Sequence, residues 1–274
     1  MTPGWTARLP EAEVSSNPSG LWTARLDPSG AARDQTLLLV HGAHCASWVW
    51  QNLMPDLVAA GWPCLTFDWR GHGESPAMPD AELVEYGLLD VVADIDSIAA
   101  EVEGEFVVLA HSIGGLAALK HAECGARQPA GLALLAPAPP AHVGGYDFPA
   151  VDPAVPTPAP DLSQARELFF HDLGEADLAS LTDAMEPESP RVLNDSGRLE
   201  VEVNPALVSG PICIVSGELD TIQGGAAAGL DRAIASSFGA EYFLRRGQGH
   251  MLPVEDGWKA TALLLRRWLA RQFP

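Results

Sequence analysis

Positive charge is scarce in this sequence. Its 274 residues carry 16 Lys and Arg against 36 Asp and Glu, a formal charge of −20. A surface of that sign repels phosphate backbones and anionic lipid headgroups, so neither nucleic acid nor membrane is expected as a partner. Cysteine is scarce too: Cys45, Cys64, Cys124 and Cys213 are scattered without a CxxC pair, and reduced thiols are expected in place of a disulfide scaffold. No stretch approaches the roughly 18 uninterrupted apolar residues that a membrane span needs. Residues 1–20, with Pro3, Pro10, Pro18, Glu11 and Glu13, lack the basic start and apolar run of a secretion signal. The expectation is a soluble cytoplasmic protein, monomer or homodimer.

What is present suits one large globular domain. Apolar residues make up 47% of the chain and charged ones 19%, enough to bury a substantial core. The pentapeptide Trp-Thr-Ala-Arg-Leu occurs at 5–9 and again at 22–26; each copy alternates in polarity, and the pair reads as two antiparallel edge strands. From residue 36 onward, β-rich apolar runs (36–40, 64–67, 106–110, 132–135) alternate with amphipathic segments (48–60, 88–102, 113–124). This is the order of parallel strands covered by helices on both faces. Eight prolines from Pro137 to Pro160 then break the pattern, because proline fits neither a central strand nor a helix interior. Helical stretches at 162–172 and 175–185 follow, and a buried-strand pattern resumes at 211–216. The division predicted is a core of residues 1–136 and 210–274 with a helical cap inserted at 137–209. A helix at 226–237, a strand at 241–244 and a helix at 258–272 close the chain.

The clearest chemical signal is Leu109-Ala110-His111-Ser112-Ile113-Gly114-Gly115, between an apolar strand and a helix. Small residues two before and two after Ser112 allow a sharp strand-to-helix turn that exposes one hydroxyl; Ala110 stands where such motifs carry glycine. A serine needs a histidine base to be nucleophilic, and that histidine needs a carboxylate to fix its tautomer. Of eight histidines only His250 is late in the chain, after a strand and in a Gly-rich loop. Asp220 follows the strand before it, with Glu218 the competing carboxylate. The backbone N–H groups of Ile113, at a helix start, and of Ala43, after Gly42, are the candidates to hold an oxyanion. His41 reads as structural.

With these residues in hand, the chain resembles the α/β-hydrolase superfamily in five ordered motifs: His41-Gly42, the run 67–75, the Ser112 elbow, the run 217–220 and Gly249-His250. Within it, the run 41–50 and the stretch 168–189 look like the branch holding methylesterases and hydroxynitrile lyases. In that branch lyases typically carry Thr after the loop histidine and Lys after the catalytic one, whereas this chain has Gly42 and Met251. The resemblance implies a mostly parallel eight-stranded sheet flanked by helices, with an inserted helical cap. It also implies cofactor-free and metal-free cleavage of a small carboxylic ester or lactone, with Ser112 as nucleophile, His250 as base and Asp220 as acid. Lyase or cofactor-independent dioxygenase chemistry on the same three residues, and a non-catalytic receptor, are the alternatives. His44, Trp48, His111 and Met251, which flank the motifs, and Phe148 and Phe169 in the cap are the candidate substrate contacts. Trp48, Trp50 and Trp69 read either as an aromatic-lined pocket or as core, and Phe148, Phe169, Phe170 and Met185 either as cap lining or as packing.

Overall fold

A computed structural model of the chain describes residues 11–144, 148–222 and 227–274. Eight strands form one sheet: β1 (Glu13–Ser16), β2 (Trp22–Leu26), β3 (Thr36–Val40), β4 (Cys64–Phe67), β5 (Phe106–His111), β6 (Gly131–Leu135), β7 (Ile212–Gly217) and β8 (Glu241–Arg245). Their spatial order is β1-β2-β4-β3-β5-β6-β7-β8, with β1 and β2 antiparallel at one edge and the other six strands parallel. The sheet is therefore mostly parallel, as the alternating runs imply.

The second copy of the pentapeptide is strand β2, but its partner is the short run Glu13–Ser16. The first copy, at 5–9, lies outside the described residues. The helix placed at 226–237 is observed as Ala227–Phe238 (α8), Ala226 itself lying outside them.

Alternation along the central strands sorts their side chains to two faces. Leu37, Leu39, Val107 and Leu109 enter one core, together with Leu53 and Leu57 of α1 (Leu53–Ala59) and Leu265 and Trp268 of α9 (Trp258–Gln272). Leu38, Val40, Val108 and Ala110 enter the other, with Val91 and Ile95 of α3 (Leu88–Ala99), which follows the short α2 (Asp80–Leu83), and with Leu116 and Leu119 of α4 (Ile113–Cys124) and Ile234 of α8. Burial on both faces explains why β3, Thr-Leu-Leu-Leu-Val, has no polar side to show to water.

Between β6 and β7 the chain is built from short helical pieces: α5 (Leu162–Gln164), running into a π-helical turn (Ala165–Phe169), α6 (Glu175–Thr182) and α7 (Pro190–Gly197). Helix α7, which periodicity did not signal, starts where Ser189 caps it, accepting from the Arg191 and Val192 N–H groups, with Pro190 in the first turn. No helix among the described residues is long and apolar enough to cross a membrane.

Candidate active site

Ser112 sits between β5 and α4 with φ 55° and ψ −128°, a conformation rare for a residue with a side chain. Three backbone bonds hold it there. Its N–H donates to the Leu135 carbonyl (3.0 Å), and its own carbonyl accepts from Gly115 (2.8 Å) and Ala138 (3.0 Å). The glycines after it are steric requirements. A Cβ on Gly114 would come 2.0 Å from the His41 carbonyl oxygen, and one on Gly115 2.7 Å from Pro137 Cβ. Close passage of α4 beside the β3 and β6 loops is what allows so tight a turn. Ala110, where glycine was anticipated, is fully buried and accommodated.

His250 comes to the serine on the loop after β8. Its Nε2 lies 2.9 Å from Ser112 Oγ and its Nδ1 2.7 Å from Asp220 Oδ2, so Nδ1–H donates to the carboxylate and Nε2 is left to accept the hydroxyl proton. The other oxygen, Asp220 Oδ1, accepts the Ile222 N–H (3.0 Å). Both His250 and Asp220 are buried. Their loops touch backbone to backbone: a Cβ on Gly217 would fall 2.0 Å from the Gly249 carbonyl oxygen. Glu218, the competing carboxylate, instead accepts the Gly247 N–H (3.0 Å) on the same loop.

The histidine loop is also anchored from behind. Buried Glu255 accepts the N–H groups of Gly249 (2.6 Å) and His171 (2.8 Å), and the Met251 N–H donates to the Phe169 carbonyl (3.3 Å). These bonds tie the loop to the stretch between β6 and β7. The Phe169 ring stands edge-on to His250, centroids 6.0 Å apart. Glu255 gave no sign of this role in the sequence, because its partners are backbone groups brought in by the fold.

A cavity of about 220 Å³ opens over Ser112. Of the candidate contact residues, Ala43, His44, Ile113, Phe148 and Phe169 line it, whereas Trp48, His111 and Met251 do not. Trp48 belongs to a 3-10 turn (Ser47–Trp50) whose four residues are all buried, and it packs in the core. Trp50 and Trp69 are likewise core residues, so the aromatic-pocket reading of the three tryptophans is corrected. Met251 is fully buried in the same core as Trp48. His111 lies behind the catalytic row: its Nε2–H donates to the His250 carbonyl (3.0 Å), and burial, aided by neighbouring His250, lowers its pKa to about 3, keeping it neutral. Phe170 and Met185 pack in the core. Pro158, Pro160, Leu193, Ser196 and Ile222 also line the cavity, from segments that carry no local motif.

The run 67–75 supports the loop that carries Ala43 and His44. Asp68 accepts the N–H groups of Ser47 (2.7 Å) and Glu74 (2.9 Å), and a Cβ on Gly73, at φ +55°, would strike its carboxylate. His41 accepts the Trp69 N–H at Nε2 (3.1 Å) and donates from Nδ1 to the Gly42 carbonyl (2.9 Å); burial lowers its pKa to about 3. It orients backbone, as its sequence position implied.

Beneath this loop lies a buried ion pair. His72 Nε2 is 3.2 Å from Glu188 Oε2, with both side chains fully buried. Burial opposes the charge on His72, yet the Glu188 carboxylate outweighs it and lifts the histidine pKa to about 9. Burial likewise opposes the charge on Glu188, and His72 overcomes it, bringing Glu188 down to about 2. Glu188 further accepts the N–H groups of His44 (3.1 Å) and Ser189 (2.7 Å), and its backbone bridges Thr157. The pair therefore fastens two cavity-lining residues, His44 and Thr157, to the run 67–75.

Comparison with known proteins agrees with this architecture. Residues 37–264 match the alpha/beta hydrolase family. Over 82 residues, 30% of this chain, the sequence is 37% identical to a pimeloyl-[acyl-carrier protein] methyl ester esterase of Neisseria meningitidis serogroup A. That match spans 23% of the esterase, and the chain aligns with only about a quarter of the length of such curated relatives. A soluble variant of monoglyceride lipase from Saccharomyces cerevisiae superposes with a TM-score of 0.72 at 17% identity, covering 96% of this chain and 95% of that one. MenH from S. aureus gives 0.70 at 16%, covering 91% and 98%. A methylesterase protein from Arabidopsis gives 0.68 at 19%, covering 85% and 98%. At these identities the likeness is one of fold.

Proposed function

The chain belongs to the alpha/beta hydrolase family, and from that premise we propose that it is a serine hydrolase cleaving a small carboxylic ester through an acyl-enzyme on Ser112. The observation that carries this reading is the continuous row from Asp220 Oδ2 through His250 to Ser112 Oγ, with spacings of 2.7 and 2.9 Å, opening onto an apolar cavity. His250 Nε2 takes the hydroxyl proton as Oγ attacks the ester carbonyl, and Asp220 stabilises the imidazolium that forms. The N–H groups of Ala43 and Ile113, both at the cavity wall, receive the oxyanion, each donor lowering the barrier by about 3 kcal/mol. His250 then returns the proton to the leaving alkoxide. Water, deprotonated by the same imidazole, releases the acid and restores Ser112.

Residues 137–209 serve in this reading as a cap that walls the substrate. Phe148, Pro158, Leu168 and Leu193 on the cavity surface support that role. The curated relatives are methyl ester esterases, and a methyl ester is of the same chemical class.

Hydrolysis of p-nitrophenyl butyrate by the purified protein tests the proposal, with Ser112→Ala as control. Turnover by the parent and its loss by several orders of magnitude in the variant are expected. Equal turnover by both would refute the role of Ser112. No ester turnover together with no phosphonate labelling of Ser112 would return the site to lyase or oxygenase chemistry.

A further inference from the structure

The cavity over Ser112 is lined mostly by apolar side chains. Among the described residues no Lys, Arg, Asp or Glu lines it, and Phe148, Val151, Leu168, Phe169, Leu193 and Ile222 supply much of its surface. A carboxylate placed there would lose its water without gaining a partner, in a chain that already carries −20. At about 220 Å³ the cavity lies at the small end of the range for ligand sites, which favours a compact acyl group.

Several polar side chains on this wall are already committed. Asn194 Oδ1 accepts the Val151 N–H (3.0 Å) while its Nδ2 donates to the Val151 carbonyl (3.1 Å). Gln164 Oε1 accepts the Asp161 N–H (3.0 Å), and His44 Nδ1 is bonded to the Glu186 carbonyl (2.9 Å). Ser196 differs. It stands on α7 at the cavity wall, 1% exposed, and its hydroxyl is buried with no hydrogen-bond partner among the described residues. A helical serine or threonine can satisfy itself on the carbonyl four residues back, as Thr182 does with Leu178 (2.8 Å) in α6. Ser196 does not, and a buried hydroxyl left unpaired is a cost that a ligand can remove.

We propose that the site takes esters of compact, uncharged acids bearing one further hydrogen-bond-accepting oxygen, and that Ser196 is the specificity residue that recognises this oxygen. The proposal rests on the ester-hydrolase reading above and names its substrate class. Turned about its χ1 toward the cavity, the Ser196 hydroxyl donates to a ketone, ether or amide oxygen on the acyl chain. The aliphatic remainder packs against the phenylalanines and prolines.

The test compares kcat/KM for methyl hexanoate, for its chain-end carboxylate analogue monomethyl adipate, and for methyl hexanoates carrying one ketone at successive positions of the distal half-chain. Wild type and Ser196→Ala are assayed in parallel, and a fluorophosphonate probe reports Ser112 reactivity in both. Monomethyl adipate is expected to fall at least about a hundredfold below methyl hexanoate. One keto isomer is expected to exceed methyl hexanoate by about tenfold in wild type. Ser196→Ala should bring the kcat/KM ratio of that keto isomer to methyl hexanoate down to about one, while phosphonate labelling of Ser112 persists and the melting temperature is unchanged or raised. Labelled enzyme that prefers monomethyl adipate, or a keto preference that survives in Ser196→Ala, or none in wild type, would overturn the substrate class alone. Absence of labelling with no turnover of any ester would overturn the hydrolase reading beneath it.

Discussion

Replacing Glu188 by Gln keeps the shape of the side chain and deletes one charge of the buried pair. In the native protein the His72 pKa stands at about 9 against an ordinary 6.5. Proton binding by His72 therefore favours the folded state by roughly 3 kcal/mol, at about 1.4 kcal/mol per tenfold change in proton affinity. Because the folded pKa is raised, this contribution is complete below about pH 6.5 and is lost as pH climbs through about 9. Glu188, depressed to about 2 from 4.5, shows the mirror behaviour: its contribution is present above about pH 4.5 and disappears as pH falls through about 2. The two describe one interaction and count once. The groups facing the pair reinforce this sign: Glu186 also raises the His72 pKa, and His41, with ring centroid 5.8 Å from that of His72, is neutral. Urea unfolding of both proteins near pH 5.5 should place Glu188→Gln about 3 kcal/mol below wild type, in the range found when one partner of a buried pair is removed. Near pH 9.5, where His72 has given up its proton in the native protein, the gap should shrink to about 1 kcal/mol or less. A stability gap that does not change between these pH values would refute the charged-pair account.

Two further perturbations probe the elbow and the tautomer. Gly114→Ala forces a methyl group against the His41 carbonyl, 2.0 Å from its ideal Cβ position, and should cost at least about 2 kcal/mol by calorimetry; a wild-type melting curve would deny the close passage of α4. Asp220→Asn leaves His250 without an acceptor that fixes Nδ1–H, and kcat for p-nitrophenyl butyrate should drop about 10³- to 10⁴-fold with the melting temperature little moved. A drop of less than about tenfold would mean that the Nδ1 contact at 2.7 Å does not govern turnover.

Much of this architecture could be read from the chain because local and global preferences coincide there. Strands β3 and β4 and helices α4 and α9 fall at the residues their apolar patterns indicate, the strands because an apolar run bounded by turn residues marks its own ends. The Ser112 turn was legible through its small neighbours, and Asp220 through the room that Gly217 leaves at the strand end. Other features are products of tertiary contact. The partner of β2 is Glu-Val-Ser-Ser, too short and exposed to announce itself. Trp48, His111 and Met251 adjoin motif residues in sequence, yet each points into packing behind the site, so adjacency along the chain misjudged their contacts. The union of His72 with Glu188, and of Glu255 with the histidine loop, joins distant segments whose sequences carry no shared signal. Helix α7 carries a helix-start pattern at Ser189-Pro190, but its eight residues offer too little periodicity to announce it.

Mass spectrometry of the protein quenched during turnover of p-nitrophenyl butyrate tests the acyl-transfer account most directly. The account predicts a mass increase of one butyryl group, located by peptide mapping on Ser112 and absent in Ser112→Ala. Steady hydrolysis with no acyl adduct, or with the adduct on another residue, would contradict it.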